Sequence, residues 1–206
     1  MTQPAEIETI LFDMGNVLVF FSHDRMCQQL GELCGLTGPA MRKLLLDSGL
    51  QWDFERGRMS EQQFCAELSS RVGKALKLDD VRRAASDIFD SHDEMLPVLD
   101  SLRRSDIRLV LLSNTSLSHF NWIQENFRCL QFFDDYVLSY ESDAIKPEAP
   151  IYQRALERIH CDPAACFYTD DIPAYVEAGR QFGLQAEVFT TAENLKRHLA
   201  ARNVRV

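Results

Sequence analysis

Hydrophobic residues follow two rhythms along this chain. Short, nearly continuous apolar runs occur at 7–13 (IETILFD), 107–113 (IRLVLLS), 135–140 (DYVLSY), 166–171 (CFYTDD) and 185–190 (QAEVFT). Each ends in small or polar residues, the pattern of a buried strand that stops in a turn. Helical spacing fills the intervals at 117–127, 151–159, 174–182 and 192–201. Ser116 or Thr115 is placed to cap the first of these. Strands alternating with helices of this length predict right-handed βαβ units, hence an α/β fold with a Rossmann-like parallel sheet covered on both faces. Ligands bind such sheets at the carboxyl ends of the strands, and Asp13, Ser113 and Asp170 all fall there.

The stretch 20–90 differs in kind. It has few strand signals and much helical periodicity, in DRMCQQLGELC, AMRKLLLDSG, SEQQFCAELSSRV and LDDVRRAASDIF, with Ser60 and Asp79 as expected N-caps. The reading is a core of residues 1–19 and 91–206, with a helical bundle at 20–90 inserted after the first strand. From that place it can act as a cap that excludes water and selects substrates.

Composition narrows the function. With 206 residues, 46% hydrophobic and 26% charged, the chain suits a soluble globular protein with one core and a modest insertion. A formal charge of −9 disfavours nucleic acid and anionic membranes as partners. The six cysteines are scattered without C-x-x-C spacing and read as free thiols. The start MTQPAEIETILFD lacks the basic-then-apolar layout of a signal peptide, and no apolar run approaches the ~18 residues of a spanning helix. A cytoplasmic monomer or homodimer is the expectation.

Four short motifs recur in order near strand ends: Asp13 in FDMGNV, Ser113 in LLSNTS, Lys146 in AIKPEAPIY and Asp170-Asp171 in FYTDDIP. Together they resemble the haloacid dehalogenase (HAD) superfamily, from about residue 7 to 190. WDFERGRMSEQQF resembles a segment of its helically capped small phosphatases. The F-D-x-G-N-V form is similar to that of sugar-phosphate phosphatases.

The resemblance implies that Asp13 is a nucleophile forming an aspartyl-phosphate. Mg²⁺ would be held by Asp13, the Gly15 carbonyl, Asp170 and Asp171. Lys146 would hold the nucleophile or the phosphoryl group. Ser113 and the backbone around Gly15, Asn16 and Asn114 would bind the transferring oxygens. Arg56 is a candidate contact for an anionic or sugar group; equally, Glu55 and Arg56 read as solvated helix charges and Trp52 as a core residue. The acidic pair Asp134-Asp135 reads as a solvated turn.

One departure matters. Most phosphatases of the superfamily carry a second Asp two residues after the nucleophile as general acid–base, where this chain has Gly15. Three readings follow: a phosphatase using another acid or good leaving groups, a dehalogenase whose halide leaves unprotonated, or a non-catalytic relative that binds a phosphorylated ligand or partner. His23 is a candidate substitute acid. Tyr175 stands where many members have Asp or Asn, which is expected to weaken support of the metal shell.

Overall fold

In a computed structural model, residues 5–206 are described, so Met1–Pro4 of the N-terminal stretch lie outside the description. In chain order, β1 (Thr9–Phe12) and β2 (Val19–Phe21) precede α1 (His23–Cys34), α2 (Gly38–Arg42), a π-helical turn (Lys43–Asp47), α3 (Leu50–Glu55), α4 (Glu61–Val72) and α5 (Leu78–Ser86). Then come β3 (Phe89–Ser91), α6 (Met95–Arg103), β4 (Arg108–Ser113), α7 (Leu117–Asn126), β5 (Asp135–Leu138) and the short α8 (Ser139–Ser142). The chain closes with α9 (Ala149–Ile159), β6 (Cys166–Asp170), α10 (Pro173–Gln181), β7 (Gln185–Val188) and α11 (Ala192–Ala200).

The five expected strands pair in parallel in the order β5-β4-β1-β6-β7. Their apolar runs are continuous because both faces are buried. Ile10, Phe12, Leu109 and Leu111 face one core, while Leu11, Val110, Leu112 and Tyr168 face the other, against Tyr152 and Val176 of α9 and α10. Truncating any of these to alanine typically costs about 2–5 kcal/mol. β1 is central, with β4 on one side and β6 on the other, so the strand order reverses around the tip of β1. That switch point opens a crevice at the carboxyl ends.

Two departures from the expected elements concern the helical stretch. Val19–Phe21 pairs antiparallel with Phe89–Ser91, a two-stranded ribbon from which α1 to α5 depart and to which they return. Asp79 is not a cap: Lys77 is the N-cap of α5, and Asp79 lies in its first turn, where its charge still suits the helix dipole. Ser60 caps α4 in a capping box with Gln63, and Ser116 caps α7. The apolar core runs without a break from Phe12 and Leu111 into Met26, Leu45, Phe54 and Phe64 of the helices.

The pair Asp134-Asp135 is a structural clamp, not a solvated turn. Asp134 accepts from the Leu109 amide at 2.9 Å and from Arg103, and Asp135 pairs with Arg108 at 3.0 Å, pinning β5 to β4. The six cysteines are free, and all but Cys161 are buried. Among the described residues no helix is long and apolar enough to cross a membrane.

Candidate active site

Asp13 follows directly on β1, buried at the switch point, with its amide bonded to Thr169 O of β6 at 3.0 Å. The β6 tip beside it supplies Asp170 and Asp171. One oxygen from each of Asp13, Asp170 and Asp171 lies within 4.8 Å of the others. No local pattern brings these three together; the strand order does.

Lys146 reaches this cluster from the loop before α9 and is 1% exposed. Its Nζ donates to Asp13 Oδ1 at 2.7 Å, Asp170 Oδ2 at 2.6 Å and Leu112 O at 3.0 Å. An ammonium has three donors, so all are used within the protein, and Lys146 holds Asp13 and Asp170 with no donor left for a ligand. Burial alone would lower the lysine, but the two carboxylates outweigh it and push it well above its ordinary range. Burial pushes Asp13 the other way for a carboxyl, well above the carboxylate range, against the pull of Lys146.

Asp170 is fully buried and held by three donors, which leaves its carboxylate one of its about four acceptor sites. Besides Lys146 it accepts from Tyr168 Oη at 2.6 Å and from the Ile172 amide at 2.9 Å. Tyr168 was not foreseen; its signal is the two-residue period of β6, which puts it on the same side as Asp170. Asp171, half-buried, accepts from Asn16 Nδ2 at 3.0 Å. Asn16 sits at φ 56° in the turn after Asp13, and its amide bonds to Val19 O, so the turn itself aims the side chain.

The remaining expected site residues divide. Asn114 faces the site, but its side chain grips the Lys146 backbone, accepting from N at 2.7 Å and donating to O at 3.1 Å. It positions the lysine. Ser113 ends β4 with its hydroxyl buried and directed to Asn114 O at 3.4 Å. Arg56 is not at the cavity: its guanidinium pairs with Glu148 at 2.5 Å, so it docks the helices on the loop after Lys146 and does not reach over the site. Tyr175 lines the cavity, with its ring 5.3 Å from Lys146 Nζ and its hydroxyl 3.5 Å from Asn114 Nδ2. Asp170 gets its second partner from Tyr168 instead.

Above the carboxylates lies a cavity of about 170 Å³. Its walls include Asp13, Asn16, Lys146 and Asp171 from the strand tips, and Phe21, His23, Trp52, Glu55 and His119 from the ribbon and helices. Glu55 and Trp52 are therefore cavity walls, neither solvated charge nor plain core. Burial pushes Glu55 up to about 7 and His119 down to about 4. His23 is pushed down by burial and by Arg42, so it is a neutral ring packed against Phe21 and Trp52.

The profile of the family "haloacid dehalogenase-like hydrolase" matches residues 7–183, most of the chain. This protein belongs to the haloacid dehalogenase-like hydrolases. It is 24% identical over 186 residues to the D-ribitol-5-phosphate phosphatase of Bacteroides thetaiotaomicron, covering 87% of this chain and 90% of that one. Among solved structures it resembles a predicted HAD-like family hydrolase from Porphyromonas gingivalis, with TM-score 0.81, 27% identity and 96% and 98% of the two chains covered. It also resembles a HAD family enzyme of Bacteroides thetaiotaomicron in complex with magnesium and inorganic phosphate. There the TM-score is 0.79 at 22% identity, over 89% of this chain and 94% of the other.

In this HAD-like hydrolase the glycine two residues after Asp13 is a packing requirement. A Cβ on Gly15 would lie 2.8 Å from the ring of Phe21. That ring packs near His23, 5.0 Å away, and Phe89, 6.4 Å away, so a side chain at position 15 displaces it and disturbs the cavity wall it forms. Gly15→Asp is therefore expected to destabilise the hydrolase by about 1–3 kcal/mol without raising turnover. Thermal denaturation and phosphate release check this; an unchanged melting temperature with a gain in rate would contradict it.

Proposed function

We propose that the protein is a Mg²⁺-dependent phosphatase of small phosphorylated metabolites of the sugar-phosphate kind, with Asp13 as nucleophile. The observation that carries this is the convergence of Asp13, Asp170 and Asp171 within 4.8 Å around one lysine. Three carboxylates against one ammonium leave surplus negative charge in a low-dielectric crevice, and the donor set is all oxygen. Both features fit a hard divalent cation. The relatives named above support the same reading, one a polyol-phosphate phosphatase and one crystallised with magnesium and phosphate.

Asp13, Asp170, Asp171 and the Gly15 carbonyl would hold Mg²⁺, which when bound supplies charge neutralisation between the nucleophile and the phosphoryl oxygens. The protein's own groups do the rest. Lys146 fixes the Asp13 carboxyl through Oδ1 and prevents its rotation away from the substrate. Asp13 attacks phosphorus, so hydrolysis proceeds in two easier displacements through an aspartyl-phosphate. The amides near Gly15 and Asn114 would hold the phosphoryl oxygens, those of Asn16 and Thr115 being engaged by Val19 O and Ser139 Oγ, with Ser113 shaping the β4–α7 loop. We assign the core to residues 1–19 and 91–206 and the cap to 20–90; the cap's aromatic walls exclude water and limit the substrate to a small one.

The dehalogenase alternative needs no cation, and three converging carboxylates argue against it. The test is release of phosphate from p-nitrophenyl phosphate and from a panel of sugar and polyol phosphates. Turnover is expected to vanish with EDTA and return with Mg²⁺. Hydrolysis indifferent to EDTA overturns the proposal, and so does a phosphate-induced thermal shift with no turnover on any ester, which supports the binding-only reading.

A further inference from the structure

If Gly15 can carry no acid, the proton for the leaving oxygen must come from another wall of the cavity. The titratable groups facing it are His23, Glu55, His119, Lys146, Asp171 and Tyr175. All three Lys146 donors are engaged, and Asp171 accepts from Asn16. His119 Nε2 is bonded to Ala85 O at 3.1 Å, and His23 lies against the Phe21 and Trp52 rings. Tyr175 is a phenol pushed up by burial, a weak acid.

Glu55 differs in geometry. It is the last residue of α3 and is buried, with Oε1 accepting from Gln51 Nε2 at 2.9 Å. Among the described residues Oε2 has no hydrogen-bond partner and is not fully enclosed, and the residue it belongs to lines the cavity. Because Gln51 donates to Oε1, the acid proton resides on Oε2.

Three successive residues also bolt this carboxyl to the core. The Glu55 carbonyl accepts from Ser139 Oγ at 2.6 Å, and the same hydroxyl accepts from the Thr115 amide at 2.9 Å. Arg56 pairs with Glu148, which in turn accepts from the Ile145 amide beside Lys146 at 3.2 Å. Gly57 lies against the backbone of Tyr140, so closely that a Cβ would strike its carbonyl. A cap residue is thereby held in the frame of the strand tips, the requirement for an acting group.

We propose that Glu55 is the acid–base residue of this hydrolase, protonating the leaving oxygen in place of the side chain that Gly15 lacks. This rests on the phosphatase reading above. In the first step an Asp13 oxygen bonds to phosphorus, the ester P–O bond breaks with its electron pair on oxygen, and the Oε2 proton passes to that oxygen. In the second, Glu55 takes a proton from water as its oxygen bonds to phosphorus and the Asp13–phosphorus bond breaks, restoring both residues. The carboxyl holds its proton to about pH 7, since burial outweighs the Gln51 hydrogen bond and the Arg56 charge.

The test compares Glu55→Gln with wild type on glycerol phosphate, a poor leaving group, and on 2,4-dinitrophenyl phosphate, a good one. For glycerol phosphate kcat is expected to fall about 10²–10⁴-fold with KM little changed. For the dinitrophenyl ester kcat/KM, which reports the first step alone, should fall less than about fivefold, since that leaving group needs no proton. Wild-type kcat/KM on glycerol phosphate should decline above about pH 7, a limb absent from kcat/KM of the dinitrophenyl ester.

Stability gives an independent readout. Folded Glu55 holds its proton to about pH 7 but the unfolded chain only to about 4.3, so wild type should lose stability relative to Glu55→Gln as pH rises between them. Equal loss of kcat/KM on both esters, or a raised KM with kcat unchanged, overturns the proposal, the latter marking a substrate-binding role. If the amide variant does not fold, the wild-type pH profiles decide: no difference between the two esters overturns it. Wild type inactive on both esters and on the sugar phosphates defeats the phosphatase reading instead.

Discussion

Asp13→Asn is expected to abolish ester hydrolysis, by more than about 10⁴-fold, and to leave the fold at least as stable as before. Asparagine preserves shape and still offers an oxygen to Lys146 at the 2.7 Å contact, but an amide does not attack phosphorus. The stability expectation comes from charge. Asp13 shares one lysine with Asp170 in a buried crevice, and burial holds its carboxyl well above the ordinary range. A carboxyl whose folded pKa is raised binds protons more tightly in the native state, so the stability it contributes at low pH is lost as pH rises from about 3.9 through the folded value. Replacing it removes that loss, the usual relation at a site where function is favoured over stability. Denaturation in chelator should therefore show the variant's advantage growing from pH 4 to pH 8. Turnover within a hundredfold of wild type would end the assignment of Asp13 as nucleophile.

The sequence made the catalytic framework legible because its logic is local at each strand end. An apolar run buried on both faces announces a parallel strand, and the polar residue that ends it sits at the binding edge. Asp13 and Asp170 were found that way, Lys146 and Asp171 through the resemblance of their motifs, and the structure brings the four together. The ribbon Val19–Phe21 with Phe89–Ser91 was not legible, since its three-residue strands pair across the whole inserted segment and show no alternation. Nor was Glu55. A charged residue at the end of a short helix has the same periodicity whether it meets water or a cavity, and only the docking of Arg56 on Glu148 and of Gly57 on Tyr140 decides between them. Arg56 was misjudged for the same reason: its partner lies 92 residues away.

Lys146→Met carries the largest expected loss of stability. The side chain is buried at 1% exposure and methionine matches its length, so packing is nearly conserved and the change isolates charge. Asp13 and Asp170 then face each other with no cation of the chain between them, and breaking a buried ion pair from one side costs about 3–5 kcal/mol. Leu112 O loses its donor as well. Turnover should fall at least about 10³-fold, because the nucleophile is no longer fixed. The loss should be greatest above neutrality and shrink on acidification, since burial holds the Asp13 carboxyl well above the carboxylate range, and without Lys146 to lower it Asp13 becomes neutral as pH falls. The double variant Asp13→Asn/Lys146→Met should recover part of the stability, because one of the two stranded charges is gone. Unfolding free energies of the four proteins give the coupling directly. Strict additivity would mean that the ion pair of Lys146 with Asp13 adds nothing to stability, and that the lysine supports the fold through Asp170 and Leu112 O alone.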